Sequence, residues 1–310
     1  MKRIFALLIA VALLCPIFTA CGQTPDDGRL SIVTTTFPPY DFARAVVGDA
    51  ASVTMLIDPG VETHSYDPSP RDIEKIRRAD IFIYGGGESD AWIDGVLDSI
   101  DTDTVTVIAM TDLVPLLCTD GHTDHMAHEA DEHAHEYDEH VWTSPANAAE
   151  IVRAICDAAR LADAENKSLY AANAAAYIAE LEMLACDFAE VIENSTRDTV
   201  IFADRYPFLY FSEAFGLKYH AAFAGCAHET EAGAQTIARM IDLVKAENVP
   251  AVFYIEFSNR RLADAVAEAT GCETLLFHSC HNVTRAELDS GATYVSLMRQ
   301  NLENLRKALS

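Results

Sequence analysis

The sequence predicts an α/β protein of two lobes, each built on a parallel sheet, joined by a long rigid helix. Three observations predict it. Short β-branched runs alternate with helical segments from residue 30 to residue 109. Residues 146–193 then hold neither Gly nor Pro and are rich in Ala, Glu and Leu, which are strong helix formers. From residue 199 the alternation resumes. Strands alternating with helices imply βαβ units and a mainly parallel sheet. The expected division is a lobe over 29–145, a helical linker over 146–196 and a second lobe over 197–310.

Leu30 to Thr36 is a strand, ended by Phe37-Pro38-Pro39, and a helix follows from Tyr40 to Val47. Ser52 to Ile57 is the next strand and runs into the turn signal Asp58-Pro59-Gly60. His64 therefore lies on a loop past the C-terminal end of a strand, where open α/β sheets place their ligands. Arg71 to Arg78 is a helix and Asp80 to Tyr84 a strand. Gly85-Gly86-Gly87 follows without GxGxxG spacing or a Gly-Lys-Ser, so it reads as a tight strand-to-helix turn and not a phosphate loop. Ala91 to Ile100 is helical and Thr104 to Ala109 a strand. Ala146 to Ala162 and Glu165 to Glu193 are helices. The second, if continuous, spans about 43 Å and makes a stiff spacer. Beyond it, strands are expected at 199–204, 218–223, 249–256 and 273–277, with helices at 206–215, 230–247, 259–270 and 291–309.

The first residues look like an address. Met1-Lys2-Arg3 is basic and Ile4 to Phe18 is an apolar run of signal-peptide length, too short to span a membrane. Residues 1–20 are expected to be a signal peptide, with Cys21 as the lipidated first residue of the mature chain and residues 21–28 as a polar tether. The stretch Phe18-Thr19-Ala20-Cys21-Gly22 resembles a bacterial lipobox, apart from Phe18, where Leu is usual. Six cysteines remain (Cys118, Cys156, Cys186, Cys226, Cys272 and Cys280), enough for up to three bridges whose pairing stays open. The formal net charge of -26 argues against a nucleic-acid partner and suits a protein that attracts cations.

The densest chemistry lies in residues 120–140, which hold six of the eleven histidines. His122, His125, His128, His133 and His135 come first and His140 ends the run, among eight carboxylates and no Lys or Arg. Imidazoles and carboxylates in a tract without apolar periodicity read as a metal-binding loop. The plainer alternative is a solvated acidic loop. His64 and His278, each after a strand, can converge with His140 in the cleft between the lobes. Three neutral imidazoles with an open fourth position suit Zn²⁺ better than Mn²⁺, which prefers oxygen.

These residues carry a resemblance. Residues 59–68, Pro-Gly-Val-Glu-Thr-His-Ser-Tyr-Asp-Pro, and 138–145, Asp-Glu-His-Val-Trp-Thr-Ser-Pro, resemble the two metal-histidine motifs of bacterial metal-receptor lipoproteins. These are the cluster A-I substrate-binding proteins of ABC importers for zinc and manganese, and the likeness covers the mature chain. It implies two α/β lobes on a rigid helix, and an ABC permease with its ATPase as partners. It also implies a monomer tethered outside the membrane through its lipid. The acidic His loop before the second motif is similar to that of the zinc (ZnuA- and AdcA-like) members. Two departures stand out. Arg205 takes the place of the family's third histidine, and a guanidinium cannot ligate a cation. His278 falls where the family usually has a carboxylate. The expected ligands are His64, His140 and His278. Glu231 and Glu256 are candidates for the fourth position, or for orienting a histidine or pairing with Arg205. His220, His228 and His281 are expected to be surface or internally satisfied histidines.

The leading expectation is a receptor that captures Zn²⁺ and delivers it to an importer, making and breaking no bond. Manganese capture is the near alternative. A zinc hydrolase would need an activated water, but no HExxH is present and no general base stands beside the histidines. An adhesin role has no sequence feature for or against it.

Overall fold

The computed structural model describes residues 28–63, 66–119, 137–225 and 231–310. The leader with Cys21, the ligand candidate His64, the His-rich stretch 120–136, and Cys226 with His228 lie outside the described residues.

The first lobe is laid down as β1 (Ser31–Thr34), α1 (Phe37–Val47), β2 (Ser52–Met55), α2 (Pro70–Arg77), β3 (Ile81–Tyr84), α3 (Trp92–Leu97) and β4 (Thr106–Ala109). Its sheet is parallel throughout, in the order β2-β1-β3-β4. The central strands β1 and β3 are almost wholly buried, as a sheet covered on both faces requires. α2 starts on a capping box in which Ser69 and Asp72 satisfy each other's backbone N–H, with Pro70 at its first position. Gly86 and Gly87 both take φ +88°, and a methyl on Gly87 would stand 2.5 Å from Glu139 Cβ. The glycines after β3 thus make a tight turn that lets Glu139 pack onto the backbone.

Two antiparallel linker helices follow, α4 (Pro145–Ala162) and α5 (Lys167–Glu193). The second lobe repeats the plan with β5 (Thr199–Tyr206), α6 (Leu209–Phe215), β6 (Lys218–Ala224), α7 (Ala234–Glu247), β7 (Ala251–Tyr254), α8 (Arg261–Thr270) and β8 (Glu273–Leu276). Its parallel sheet has the order β6-β5-β7-β8, matching the first lobe strand for strand. A short helix α9 (Arg285–Asp289), too brief to show a helical period, precedes the closing helix α10 (Tyr294–Leu309).

The long helix has 27 residues and is more than a spacer. Toward its N-terminus Asn173 Nδ2 donates to Val46 O, and Tyr177 Oη donates to the buried Asp41, which also accepts Tyr294 N–H. Toward its C-terminus Phe188 packs edge-on against Phe211 of the second lobe, 4.9 Å between centroids. One buried cluster runs from Phe42 through Trp142, Ile155 and Leu181 to Phe202, Phe277 and Leu305. The lobes therefore share a core, with smaller clusters under the outer face of each. A shared, close-packed core resists independent lobe motion. The described cysteines Cys118, Cys156, Cys186, Cys272 and Cys280 are free thiols, so none of them forms an expected bridge with another.

Candidate metal centre

In each lobe the strand order reverses between the first and third strands, the point at which open sheets leave a crevice beyond their C-terminal ends. The loops after β5, β7 and β8 meet the segments before residue 64 and around residue 140 there. They border a small cavity of about 30 Å³ lined, among others, by Glu62, Thr63, His140, Arg205, Glu256 and His281.

His140 is 1% exposed and sits just before a short 3-10 turn, Val141–Thr143. Its Nδ1 lies 3.1 Å from Asp138 Oδ1, and its backbone N–H donates to the same oxygen at 2.8 Å. A histidine Nδ1 beside a carboxylate is the arrangement that orients metal-bound histidines. Asp138 is fixed in turn, since its carbonyl accepts Tyr210 Oη at 2.8 Å. Burial works to lower the His140 pKa, but the Asp138 and Glu139 carboxylates outweigh it against an opposing Arg205, and the pKa is raised. Glu139 faces the glycine turn, where its carboxylate accepts Ser89 N–H at 2.9 Å and the Ser89 hydroxyl.

His281 stands across the cavity with its ring centroid 5.3 Å from that of His140 and the planes at 87°. Its Nδ1 is 3.4 Å from Thr63 Oγ1, a contact between the lobes. Trp142 lies 4.9 Å from the same ring and donates Nε1–H to Ser279 O at 2.9 Å. Further contacts stitch this loop to the first lobe: Asn282 Nδ2 donates to Asp58 O and Val61 O, and Gly60 N–H donates to Val283 O.

His278, expected as a ligand, does not line the cavity. Its Nδ1 accepts Cys280 N–H at 2.9 Å, so the neutral ring carries its proton on Nε2 and has no lone pair to offer. Asn301 clamps its backbone on both sides. Between the two histidines Cys280 takes φ +62°, and the chain turns so that His281 meets the cleft while His278 is buried within the loop. His281, expected to be a surface or internally satisfied histidine, is the one of the two that lines the cavity; two histidines three residues apart after a strand carry that possibility, and which one faces inward is set by contacts distant in sequence.

Arg205 extends from the end of β5 into the cavity. Its Nη2 is 3.9 Å from Glu62 Oε2, too long for a hydrogen bond, and its buried Nε has no partner. Glu256 lines the cavity, with its oxygens taken by Ser279 N–H at 2.8 Å and the Ser279 hydroxyl. Glu231 is exposed and is not part of the lining. His220 is half-buried, 4.0 Å from Glu247, and away from the cavity. Among the described residues, no group of three or more His, Cys, Asp or Glu side chains is gathered closely enough to hold a metal ion. Also among them, no helix is long and apolar enough to cross a membrane.

Comparison with known proteins shows the family. The profile of the family described as zinc-uptake complex component A, periplasmic (ZnuA), matches residues 32–308. The chain is 33% identical to the zinc-binding lipoprotein AdcA of Streptococcus pneumoniae serotype 4 over 311 residues, covering 99% of this chain and 61% of AdcA. It thus spans under two thirds of the length of that relative. It is 28% identical to the high-affinity zinc uptake system protein ZnuA of Bacillus subtilis, with 97% of both chains covered. Among solved structures, the Zn(II)-bound ZnuA-like domain of S. pneumoniae AdcA superposes with a TM-score of 0.77 at 29% identity, covering 91% of this chain and 99% of that domain.

Proposed function

Because the chain belongs to the family of zinc-uptake complex component A proteins, we propose that it captures Zn²⁺ between its lobes and delivers it to the permease and ATPase of an ABC importer. The observation that carries this reading is His140: a buried imidazole, oriented by Asp138, on a cavity that it lines together with His281. Nitrogen donors suit zinc over manganese. His64, which follows the cavity-lining Thr63, is the third ligand of this reading. His281 replaces His278 as the donor from the second lobe. His278 holds the loop that presents it.

Capture and release are the whole task, so the protein acts as a carrier and not an enzyme. The repeated sheets and the shared core support this, because they hold the two histidine-bearing loops in fixed relation. The five histidines His122, His125, His128, His133 and His135 serve as a weaker auxiliary store. Cys21 carries the lipid that keeps a monomeric receptor beside its permease on the outer face of the membrane. The test is competitive zinc titration of the purified chain. One tight site lost in His140→Ala is expected, and tight binding indifferent to that substitution would overturn the reading.

A further inference from the structure

A cavity of about 30 Å³ has room for little more than a water molecule or one ion. Entry is therefore decided at its rim. Two residues of its lining are both apolar and exposed: Val61 of the first lobe at 42% and Phe257 of the second at 44%. Val61 is fixed, because its carbonyl accepts Asn282 Nδ2 at 2.9 Å. Phe257 is placed at a cost. Ser258 N–H donates to Ile255 O and closes the turn Ile255–Ser258, in which Phe257 is third. Phe257 takes φ +58° there, a conformation that turns ordinarily give to Gly or Asn and that is an outlier for a bulky side chain. The residues around it are pinned. Glu256 accepts Ser279 N–H at 2.8 Å and the Ser279 hydroxyl, Ser258 Oγ accepts Arg260 N–H at 3.2 Å, and the Arg260 guanidinium lies 4.5 Å over the Tyr254 ring. The bond that closes the turn is long by comparison, at 3.4 Å. A strained backbone and an exposed aromatic ring thus coincide at one residue of the rim, and core packing explains neither. Strain of this kind gathers at ligand clamps and switches.

We propose that Phe257 is the gate of the interlobe cavity. In the observed state its ring narrows the mouth, with Val61 on the other side of the lobe boundary. Rotation of Phe257 to negative φ relieves the strain, breaks only the long Ser258–Ile255 bond and swings the ring off the rim. Strain disfavours the closed state and apolar contact at the rim favours it, so the two states lie close in free energy, as a gate requires. This inference rests on the zinc reading for the identity of the cargo and adds to it how the cavity is entered and left.

The test is modification of the metal-free full chain with diethyl pyrocarbonate, followed separately at His140 and His281 by peptide mass mapping. It needs no metal, so it judges the gate apart from the zinc reading. Phe257→Gly removes the ring and supplies the residue that the turn favours, whereas Phe257→Ala removes the ring and keeps the strain. With an open state populated at about 10% or less in the wild type, both variants are expected to speed modification of the two histidines by about tenfold or more. His220, away from the cavity, should react at an unchanged rate. Phe257→Gly should melt above Phe257→Ala, which separates the loss of the gate from a loosened fold. In stopped-flow zinc binding, both variants should raise the association and dissociation rates by similar factors and leave the affinity nearly unchanged. Modification of His140 and His281 at the wild-type rate in Phe257→Gly would overturn the gate. Faster modification together with tight zinc binding indifferent to His140→Ala would support the gate and overturn the zinc reading.

Discussion

His140 and His281 face each other across the lobe boundary with ring centroids 5.3 Å apart and planes at 87°. Each is held by the opposite lobe's neighbourhood. Asp138, which orients His140, is fixed by Tyr210 of the second lobe, and His281 contacts Thr63 of the first. A pair of imidazoles built this way is held by contacts from both lobes.

The two C-terminal histidines are separable. His281→Ala is expected to weaken zinc binding by about 100-fold or more, because it removes a donor where loss of even an orienting partner costs about 10–100-fold. His278→Ala should instead lower the melting temperature, since it empties a buried position clamped by Asn301 and Cys280. Zinc titration beside thermal unfolding checks both, and the reverse pattern would restore His278 as the ligand.

Zinc affinity should fall as pH drops, and begin to fall above the usual histidine value of about 6.5. The His140 pKa is raised because Asp138 and Glu139 overcome the lowering effect of burial. Protons therefore compete for the ring at higher pH than usual. Asp138→Asn is expected to cost about 10–100-fold in affinity at pH 8 while moving the falling limb to lower pH. A variant that only lowers affinity, with the limb unmoved, would contradict the role given to Asp138.

Asp90 predicts a slope in apo-protein stability. Burial, with a smaller push from the Glu139 charge, raises its pKa from 3.8 to about 7 against the backbone N–H of Gly86. The folded value lies above the unfolded one, so the folded chain binds the extra proton between them. Stability is then fully present near pH 4 and is lost as pH rises toward 7, by roughly 4 kcal/mol at most. Asp90→Asn, which can still accept from Gly86, should flatten that slope in urea titrations across the same window.

Gly87→Ala should destabilise the fold by on the order of 2 kcal/mol or more, because φ +88° is strained for alanine and its methyl meets Glu139. Glu139 adjoins His140, so zinc affinity should fall as well. Chemical denaturation and zinc titration of the variant check the two effects.

The eight strands were legible in the sequence because β-branched runs and their turn signals are local. So was the long helix, to within two residues of its start. The shared core was not legible. The apolar positions of α4 and α5 show that these helices bury a face, but not that the same face serves both lobes. At the site, His140 could be read from its motif, and Arg205 stood out because it cannot ligate. Which of His278 and His281 lines the cavity could not be read. It depends on the positive φ of Cys280 and on Asn301 and Thr63, which lie 23 and 218 residues from their partners.

The most direct measurement is anomalous diffraction at the zinc edge from crystals of the zinc-loaded chain. The account predicts one strong peak in the cleft, about 2.0–2.1 Å from His140 Nε2 and from an imidazole nitrogen of His281, persisting when residues 120–136 are deleted. A peak on His278, or one that vanishes with the 120–136 deletion, would contradict it.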